Sequence, residues 1–370
     1  MNVARVLLSL CGVGTLALAG LWAGGCGSDS DGAVPPGCGG DCPDASTADA
    51  AGAGGAAQGG SGGVAGGAVG GSGGGAAGGG TGGVAGAGGA GGASGTYKTN
   101  LAVCWLDPAC HRALVVAHGG DWADAFSRPF LSRPAFDQAV ADGADGIEAD
   151  VRVTLDQVPV VAHSSPIETW ESLDCSGQLI EQMTAAEVTQ CHLAPSFTEP
   201  FQRLDDVLDW AGGKLIMELD VKLAGDLAAT IGTILARGAE SRTFILVGTG
   251  EITSTIPTIT GWHSVHYMVD IGDPATEIEP MLAIAASHNL FLFEIDRSYS
   301  GYTEAQITDL LVSTVNPGGV KGFSASDQYL ATVQNHKDVY HQGFDVVLSY
   351  NVPNGVQAAA EINVERGYPP

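Results

Sequence analysis

Residues that can exchange protons or hold a cation stand at the ends of short apolar runs in this sequence. His118 ends the run ALVVAH, and His163 ends the run VPVVAH. Glu148 and Asp150 alternate with apolar residues in DGIEADV, so both carboxylates project to one side of an extended strand. Two imidazoles near neutral pH are suited to supply an acid and a base, and the paired carboxylates are suited to hold a metal ion.

A further run, KLIMELDVK, places Glu218, Asp220 and Lys222 on one side by the same period of two. Carboxylates from two strands repel each other in one cleft unless a cation lies among them. A divalent ion that prefers oxygen ligands, Mg²⁺ or Ca²⁺, is the simplest cation to expect. Lys222 adds a fixed positive charge for an anionic substrate. Glu218 is either a further ligand or a deeper partner of Lys222, and the sequence leaves both open.

The elements that must position these groups alternate between strand-like and helix-like segments after Tyr97. Amphipathic stretches such as RPAFDQAVADGA and DLAATIGTILARGA separate the apolar runs. This alternation predicts a parallel sheet, and its length favours a closed (β/α)8 TIM barrel over an open doubly wound sheet. The stretch GIEADVRVTLDQVPVVAH has too short a link for a helix and predicts a hairpin. In a barrel, the carboxyl ends of the strands carry the active site, which is where the polar residues fall.

Three stretches resemble the glycerophosphodiester phosphodiesterase family: AHGG, GADGIEADVRVTLDQVPVVAH and RLDDVLDWAGGKLIMELDVK. The family pattern has His-Arg-Gly, then Glu-x-Asp-Val and Thr-x-Asp-Gly-x-Pro-Val-Val-x-His, then Glu-x-Lys. The stretch 143–163 carries the most specific part of the resemblance, which extends more weakly from Leu114 to Asn354.

The resemblance implies a metal-dependent phosphodiesterase that cleaves glycerophosphodiesters or related phospholipid headgroup esters by paired-histidine acid/base catalysis. The family's roles fall on six residues of this sequence: catalytic His118 and His163, metal-binding Glu148, Asp150 and Asp220, and substrate-binding Lys222. The expected cofactor is Mg²⁺ or Ca²⁺, and the expected partner is a small phosphodiester or a phospholipid.

Two departures from the family keep other functions open. Gly119 stands where the family has a phosphate-binding arginine, and Ser164 stands where it has an aspartate. Arg128 or Arg133 on the following loop is a candidate replacement. The related sphingomyelinase D and phospholipase D toxins also lack that arginine, have Asp-x-Lys, and form cyclic phosphates, so a lyase of that kind is an alternative. A non-catalytic surface binding barrel is another.

Aromatic residues near the predicted site have two interpretations. Trp122, Trp170 and Tyr350 follow strand ends and either contact an alcohol or lipid group of the substrate or simply pack.

The first quarter of the sequence predicts export and a tether. Residues 1–25 have the composition of a signal peptide, and LWAGGC resembles a lipobox that would make Cys26 the lipidated N-terminus, with ordinary signal cleavage as the alternative. Residues 26–97 are a disordered Gly/Ala/Ser-rich linker by composition, and residues 98–370 form the predicted barrel. We therefore expect an exported lipoprotein at the periplasmic or cell surface, attached to a membrane by its N-terminal lipid anchor.

The number of cysteines agrees with an exported protein, and the net charge excludes one class of partner. Of the eight cysteines, six remain after Cys11 and Cys26 are set aside, and pairing of neighbours in the sequence predicts Cys38–Cys42, Cys104–Cys110 and Cys175–Cys191 among the fifteen connectivities possible. The net charge of −26 argues against a nucleic-acid partner, because phosphate backbones attract clustered Lys and Arg.

Overall fold

The computed structural model describes residues 97–296, 302–324 and 330–370. The strands are β1 (Leu114–His118), β2 (Gly146–Val153), β3 (Pro159–Val161), β4 (Gln202–Arg203), β5 (Ile216–Val221), β6 (Thr243–Gly248), β7 (His266–Asp270), β8 (Leu290–Ile295), β9 (Lys321–Ser324) and β10 (Val346–Ser349). The helices are α1 (Arg133–Asp142), α2 (Ala185–Val188), α3 (Leu204–Ala211), α4 (Leu227–Ala236), α5 (Thr249–Ser254), α6 (Pro274–Ile284), α7 (Glu304–Leu310), α8 (Val333–His341) and α9 (Val352–Glu365). A turn of π-helix, Leu311–Val315, continues α7.

Eight parallel strands close into a barrel in the order β1-β2-β5-β6-β7-β8-β9-β10, with β10 pairing back onto β1. The predicted (β/α)8 barrel is confirmed, and the four apolar runs that carry the predicted site residues form β1, β2, β3 and β5. The predicted hairpin is also present: β2 and β3 are antiparallel, with Val151 opposite Val161. The two-residue strand β4, which extends this hairpin, was not predicted because its length gives no periodic signal.

Local signals in the sequence set the ends of the first helix. The Ser132 hydroxyl accepts the backbone N–H of Ala135 and caps the N-terminus of α1, where Pro134 has no N–H to satisfy. Gly143 ends the helix with φ 95°, a conformation that glycine adopts without a steric penalty, and the chain turns into β2.

The apolar side chains divide between two cores. Residues of one parity along the strands, such as Val115 and Ile147, pack against the helices outside the barrel. Residues of the other parity, such as Val116 and Phe244, fill its interior. Trp105 joins this interior core, 5.9 Å from the Phe244 ring, and so closes the end of the barrel where the strands begin.

The hairpin leads into a lobe outside the barrel, between Pro159 and Phe201. It has its own core, which includes Ile167, Ile180 and Val188. The Cys175–Cys191 disulfide spans 16 residues of this lobe. The lobe core is separate from the two barrel cores, so this segment is stabilised largely by its own contacts and its cross-link.

Two of the three predicted disulfides are present, Cys104–Cys110 and Cys175–Cys191. Cys38–Cys42, the signal peptide 1–25, the lipidation site Cys26 and the linker up to Thr96 lie outside the described residues. In the part of the chain that the structure describes, no helix combines the length and the hydropathy that a bilayer crossing requires. The two disulfides are typical of a protein in an oxidising, extracytoplasmic compartment.

Candidate active site

Strand register brings the predicted polar groups to one end of the barrel. His118 of β1 stands beside Glu148 of β2, and Asp150 stands beside Asp220 of β5. One carboxylate oxygen each from Glu148, Asp150 and Asp220 lies within 4.8 Å of the others. The three predicted metal ligands therefore form one cluster at the carboxyl ends of neighbouring strands.

Lys222 lies against two of these carboxylates. Its Nζ is 2.6 Å from Asp150 Oδ1 and 2.6 Å from Asp220 Oδ2. Burial alone would lower the pKa of Lys222, but the charges of Asp150 and Asp220 outweigh it and the pKa is raised. Burial alone would raise the pKa of Asp150, but Lys222 and His163 outweigh it and the pKa is lowered. Lys222 is thus a permanent cation, and Asp150 stays ionised.

The acid cluster contains more negative charge than Lys222 compensates. Burial, followed by the charge of Asp150, raises the pKa of Glu148 well above its usual range. Asp150 Oδ2 and Glu218 Oε2 are buried and have no hydrogen-bond partner among the described residues. The unpaired Asp150 oxygen belongs to three converging carboxylates, Glu148, Asp150 and Asp220, which are the oxygen donors that a hard divalent cation takes, so these three residues fit such an ion.

Glu218 lies one register step deeper than Asp220, opposite Glu148. Its pKa is raised well above the usual range by burial and then by the charges of Glu294 and Glu148. The contacts of Lys222 are with Asp150 and Asp220. Among the described residues, the carboxylate cluster that can hold an ion comprises Glu148, Asp150 and Asp220, without Glu218.

His118 lies between two aromatic rings. Its ring centroid is 4.3 Å from that of Tyr350 and 5.1 Å from that of Phe130. Burial lowers the pKa of His118 to about 4, although the Asp150 charge acts in the opposite direction. His118 is therefore neutral near pH 7, and its Nδ1 has no partner among the described residues. A neutral imidazole with an unpaired nitrogen is able to accept a proton.

His163 is held by its own loop. Its carbonyl accepts the Arg152 Nε–H at 2.9 Å, and its Nδ1 is 3.1 Å from Ser164 Oγ. Glu171 accepts the backbone N–H groups of His163 and Ser164 at 2.6 and 2.9 Å. Burial raises the pKa of Glu171 to about 7, and these two N–H groups act in the opposite direction. Sequence reasoning missed Glu171, because a residue in an irregular loop has no periodic relation to the histidine it holds.

The missing arginine has a structural reason. Gly119 has φ +60°, and a Cβ at this position would lie 1.9 Å from Cε2 of Phe130. The Phe130 ring thus occupies the space into which a side chain at position 119 would project. The centroid of the partly buried Phe130 ring is also 6.5 Å from that of the His163 ring, so Phe130 lies near both imidazoles.

Arg133, one candidate replacement for that arginine, lies away from the two histidines. Arg133 donates from Nε to Gln202 at 3.3 Å, and its guanidinium lies 4.8 Å from the Trp210 ring on the helical side of the barrel. The positive charge of Arg128, the other candidate, opposes the rise in the pKa of Asp142, the last residue of α1.

The fold and this geometry define the class of protein: a TIM barrel whose carboxylates and imidazoles converge at the carboxyl ends of its strands. The sequence model of the Glycerophosphoryl diester phosphodiesterase family matches residues 131–230. This range contains five of the six predicted site residues: Glu148 and Asp150 in β2, His163 after β3, Asp220 in β5 and Lys222 directly after it. This match, over 100 of the 370 residues, supports the family and the enzyme class that the sequence predicts, a phosphoric diester hydrolase.

Solved structures have the same fold. A glycerophosphoryl diester phosphodiesterase from Parabacteroides distasonis is 20% identical, covers 68% of this chain and 87% of its own, and has a TM-score of 0.56. A glycerophosphodiester phosphodiesterase from Agrobacterium tumefaciens is 18% identical, covers 67% and 99%, and has a TM-score of 0.53. A phosphodiesterase from Oleispira antarctica, solved with the product sn-glycerol-3-phosphate, is 17% identical, covers 68% and 97%, and has a TM-score of 0.53. No curated protein matches the sequence significantly.

Proposed function

We propose that this protein is a metal-dependent phosphodiesterase that cleaves glycerophosphodiesters by acid/base catalysis with His118 and His163. The observation that carries the proposal is the convergence of three carboxylates within 4.8 Å with two imidazoles beside them. The family match and the product found in the Oleispira antarctica structure support a glycerol phosphate ester as the substrate.

Glu148, Asp150 and Asp220 are the residues that would hold Mg²⁺ or Ca²⁺. When bound, such an ion supplies Lewis acidity to a phosphoryl oxygen and offsets the charge that develops there. Lys222 contributes a second positive charge on the same side, at 2.6 Å from two of the carboxylates.

The proton transfers belong to the histidines. Neutral His118 takes the proton of the attacking hydroxyl as its oxygen forms the bond to phosphorus. The bond from phosphorus to the leaving oxygen breaks, and protonated His163 gives its proton to that oxygen. Glu171 and Arg152 hold the backbone of His163 for this step.

The identity of the attacking group decides which of two products forms. Water gives hydrolysis directly, and a substrate hydroxyl next to the phosphate gives a cyclic phosphate. The observation that favours the second outcome is the Gly119 and Asp220-x-Lys222 pattern, in which the sequence resembles the sphingomyelinase D and phospholipase D toxins.

The test presents the purified protein with bis(glycerol) phosphate, glycerophosphocholine, lysophosphatidylcholine and sphingomyelin, with Mg²⁺, with Ca²⁺ and with chelator. Phosphorus NMR identifies open and cyclic products. We expect turnover that chelator abolishes and that either ion restores. Metal binding without turnover of any substrate would instead indicate a non-catalytic binding barrel.

Variants assign the roles within the same assay. His118→Ala and His163→Ala are each expected to lower kcat by about 10²-fold or more. His341→Ala is the matched control, because this exposed histidine lies on α8 and pairs with Glu365 on the helical surface. Near-full activity in either active-site variant would refute the assignment.

We also propose that Cys26 is lipidated and that the chain is anchored at a membrane surface. The lipobox-like sequence before Cys26 and the Gly-rich tether after it support this. Mass spectrometry of the N-terminal peptide tests it, and Cys26→Ser should release the protein from the membrane fraction.

A further inference from the structure

Four aromatic side chains stand together beside the two histidines, and we call them the aromatic wall. They come from the loop after β1, the loop after β3 and the residue after β10: Trp122, Phe130, Trp170 and Tyr350. Phe130 is central, with ring centroids 5.6 Å from Trp122 and 5.9 Å from Trp170. Trp122 reaches Tyr350 at 6.1 Å, and Trp170 reaches His163 at 5.3 Å. Each of the four rings is half-buried.

Contacts with residues next to His118 and with His118 itself hold two rings of the aromatic wall in the site. The Phe130 ring fills the space beside Gly119, and the Trp122 indole N–H donates to the His118 carbonyl at 3.0 Å. Rings from three separate segments lie next to the two histidines assigned to proton transfer. This position suits the leaving alcohol, because His163, which is assigned to the leaving oxygen, has the Trp170 and Phe130 rings beside it.

The charges around the aromatic wall decide which kind of substrate group its rings would bind. The Trp170 indole N–H donates to the carboxylate of exposed Glu168, which places negative charge beside the ring. Arg133 lies with its guanidinium 4.8 Å from the ring of Trp210, which is not part of the wall. The charged side chain that contacts the wall through a hydrogen bond is thus the acidic Glu168. An aromatic surface beside acidic charge favours a cation of low hydration over an anion or a polyol.

We propose that the aromatic wall binds a quaternary ammonium group on the leaving alcohol, so that choline-type diesters are the preferred substrates of the site. This inference rests on the phosphodiesterase function proposed above. Trimethylammonium groups have the low hydration and the diffuse charge that aromatic faces bind, whereas the primary ammonium of ethanolamine retains its water more strongly.

The experiment compares glycerophosphocholine with its neutral isostere, the glycerophosphodiester of 3,3-dimethylbutan-1-ol. The two differ in charge and hardly in shape, so apolar burial contributes equally to both. We expect kcat/KM to be about 5–30-fold higher for the choline ester, as a cation–π contact at a partly desolvated site implies. Equal kcat/KM values for the two substrates would overturn the proposal and favour a site for apolar groups.

Variants show whether the wall is the source of the preference. Trp170→Leu should reduce the ratio of the two kcat/KM values towards one, and Trp170→Phe should retain most of it. The ratio cancels any effect on the catalytic step common to both substrates. Trp210→Leu is the control, because this tryptophan lies on α3 beside Arg133 and Lys214, and it should leave the ratio unchanged. An unchanged ratio in Trp170→Leu would contradict the assignment.

The failure of the proposed function is separable from the failure of this inference. Turnover of bis(glycerol) phosphate without a preference for choline refutes only the wall. If no diester is turned over, titration of the protein with choline and with 3,3-dimethylbutan-1-ol, followed by indole fluorescence, tests the wall alone. A saturable response to choline that Trp170→Leu removes supports it, and an equal response to both alcohols refutes it.

Discussion

The contact between Gly119 and Phe130 predicts a specific energetic coupling. In Gly119→Ala, the new Cβ would lie 1.9, 2.2 and 2.7 Å from three Phe130 ring atoms, and the backbone would stay at φ +60°. The left-handed backbone costs about 1–2 kcal/mol, and the steric overlap costs about 1–3 kcal/mol. Together they should lower the free energy of unfolding by about 2–5 kcal/mol.

A double-mutant cycle measured by urea denaturation separates these contributions. Phe130→Ala removes the ring, so Gly119→Ala in that background should cost only the backbone part, and the coupling should be about 1–3 kcal/mol. Gly238→Ala is the matched control, because Gly238 has φ +57° with nothing within 4 Å of its would-be Cβ. The reasoning is refuted if Gly119→Ala costs no more than Gly238→Ala, or if the cycle is additive.

Three further outcomes follow from the site and the lobe. Because His118 is neutral down to about pH 4, its protonation should reduce kcat/KM only as the pH approaches that value, and a pH–rate profile with an acid limb from His118 near pH 6.5 would contradict this. The raised pKa of Glu171, about 7, means that the folded state binds its proton more tightly than the unfolded chain does. This residue therefore makes the free energy of unfolding fall as the pH rises from about 4.5 to 7. Glu171→Gln should remove a decline on the order of 3 kcal/mol from denaturation measured across that pH range. Replacing Cys175 and Cys191 by Ser together opens a 16-residue cross-link and should cost about 3 kcal/mol, and an undiminished free energy of unfolding would show that the bond constrains little.

The barrel was predictable because its signals are periodic. Most strands of the barrel are short runs rich in apolar residues, and the segments between them have helical spacing. The positions of Glu148, Asp150 and Asp220 follow from a period of two once the strands are known. Their mutual distance does not, because it depends on the register between β2 and β5, which sequence spacing alone leaves open.

The parts that escaped prediction are those set by contacts between irregular segments. Gly119 was recognised as a departure, but nothing in the sequence links it to Phe130, eleven residues later in the chain. Trp122, Trp170 and Tyr350 were noted as possible substrate contacts or packing residues, and only the folded loops bring them to one surface. Arg133 was a candidate anion ligand, and its contact with Trp210 on α3 places it elsewhere.

The separate core of the lobe has a consequence for how the site is assembled. His118 stands on the barrel itself. His163, in contrast, lies in the lobe, which its own core and one disulfide hold in place. A newly made chain in a reducing compartment lacks that bond, so it holds one of the two histidines proposed to transfer protons less firmly than the other. Maturation of the complete pair is then tied to passage into an oxidising environment.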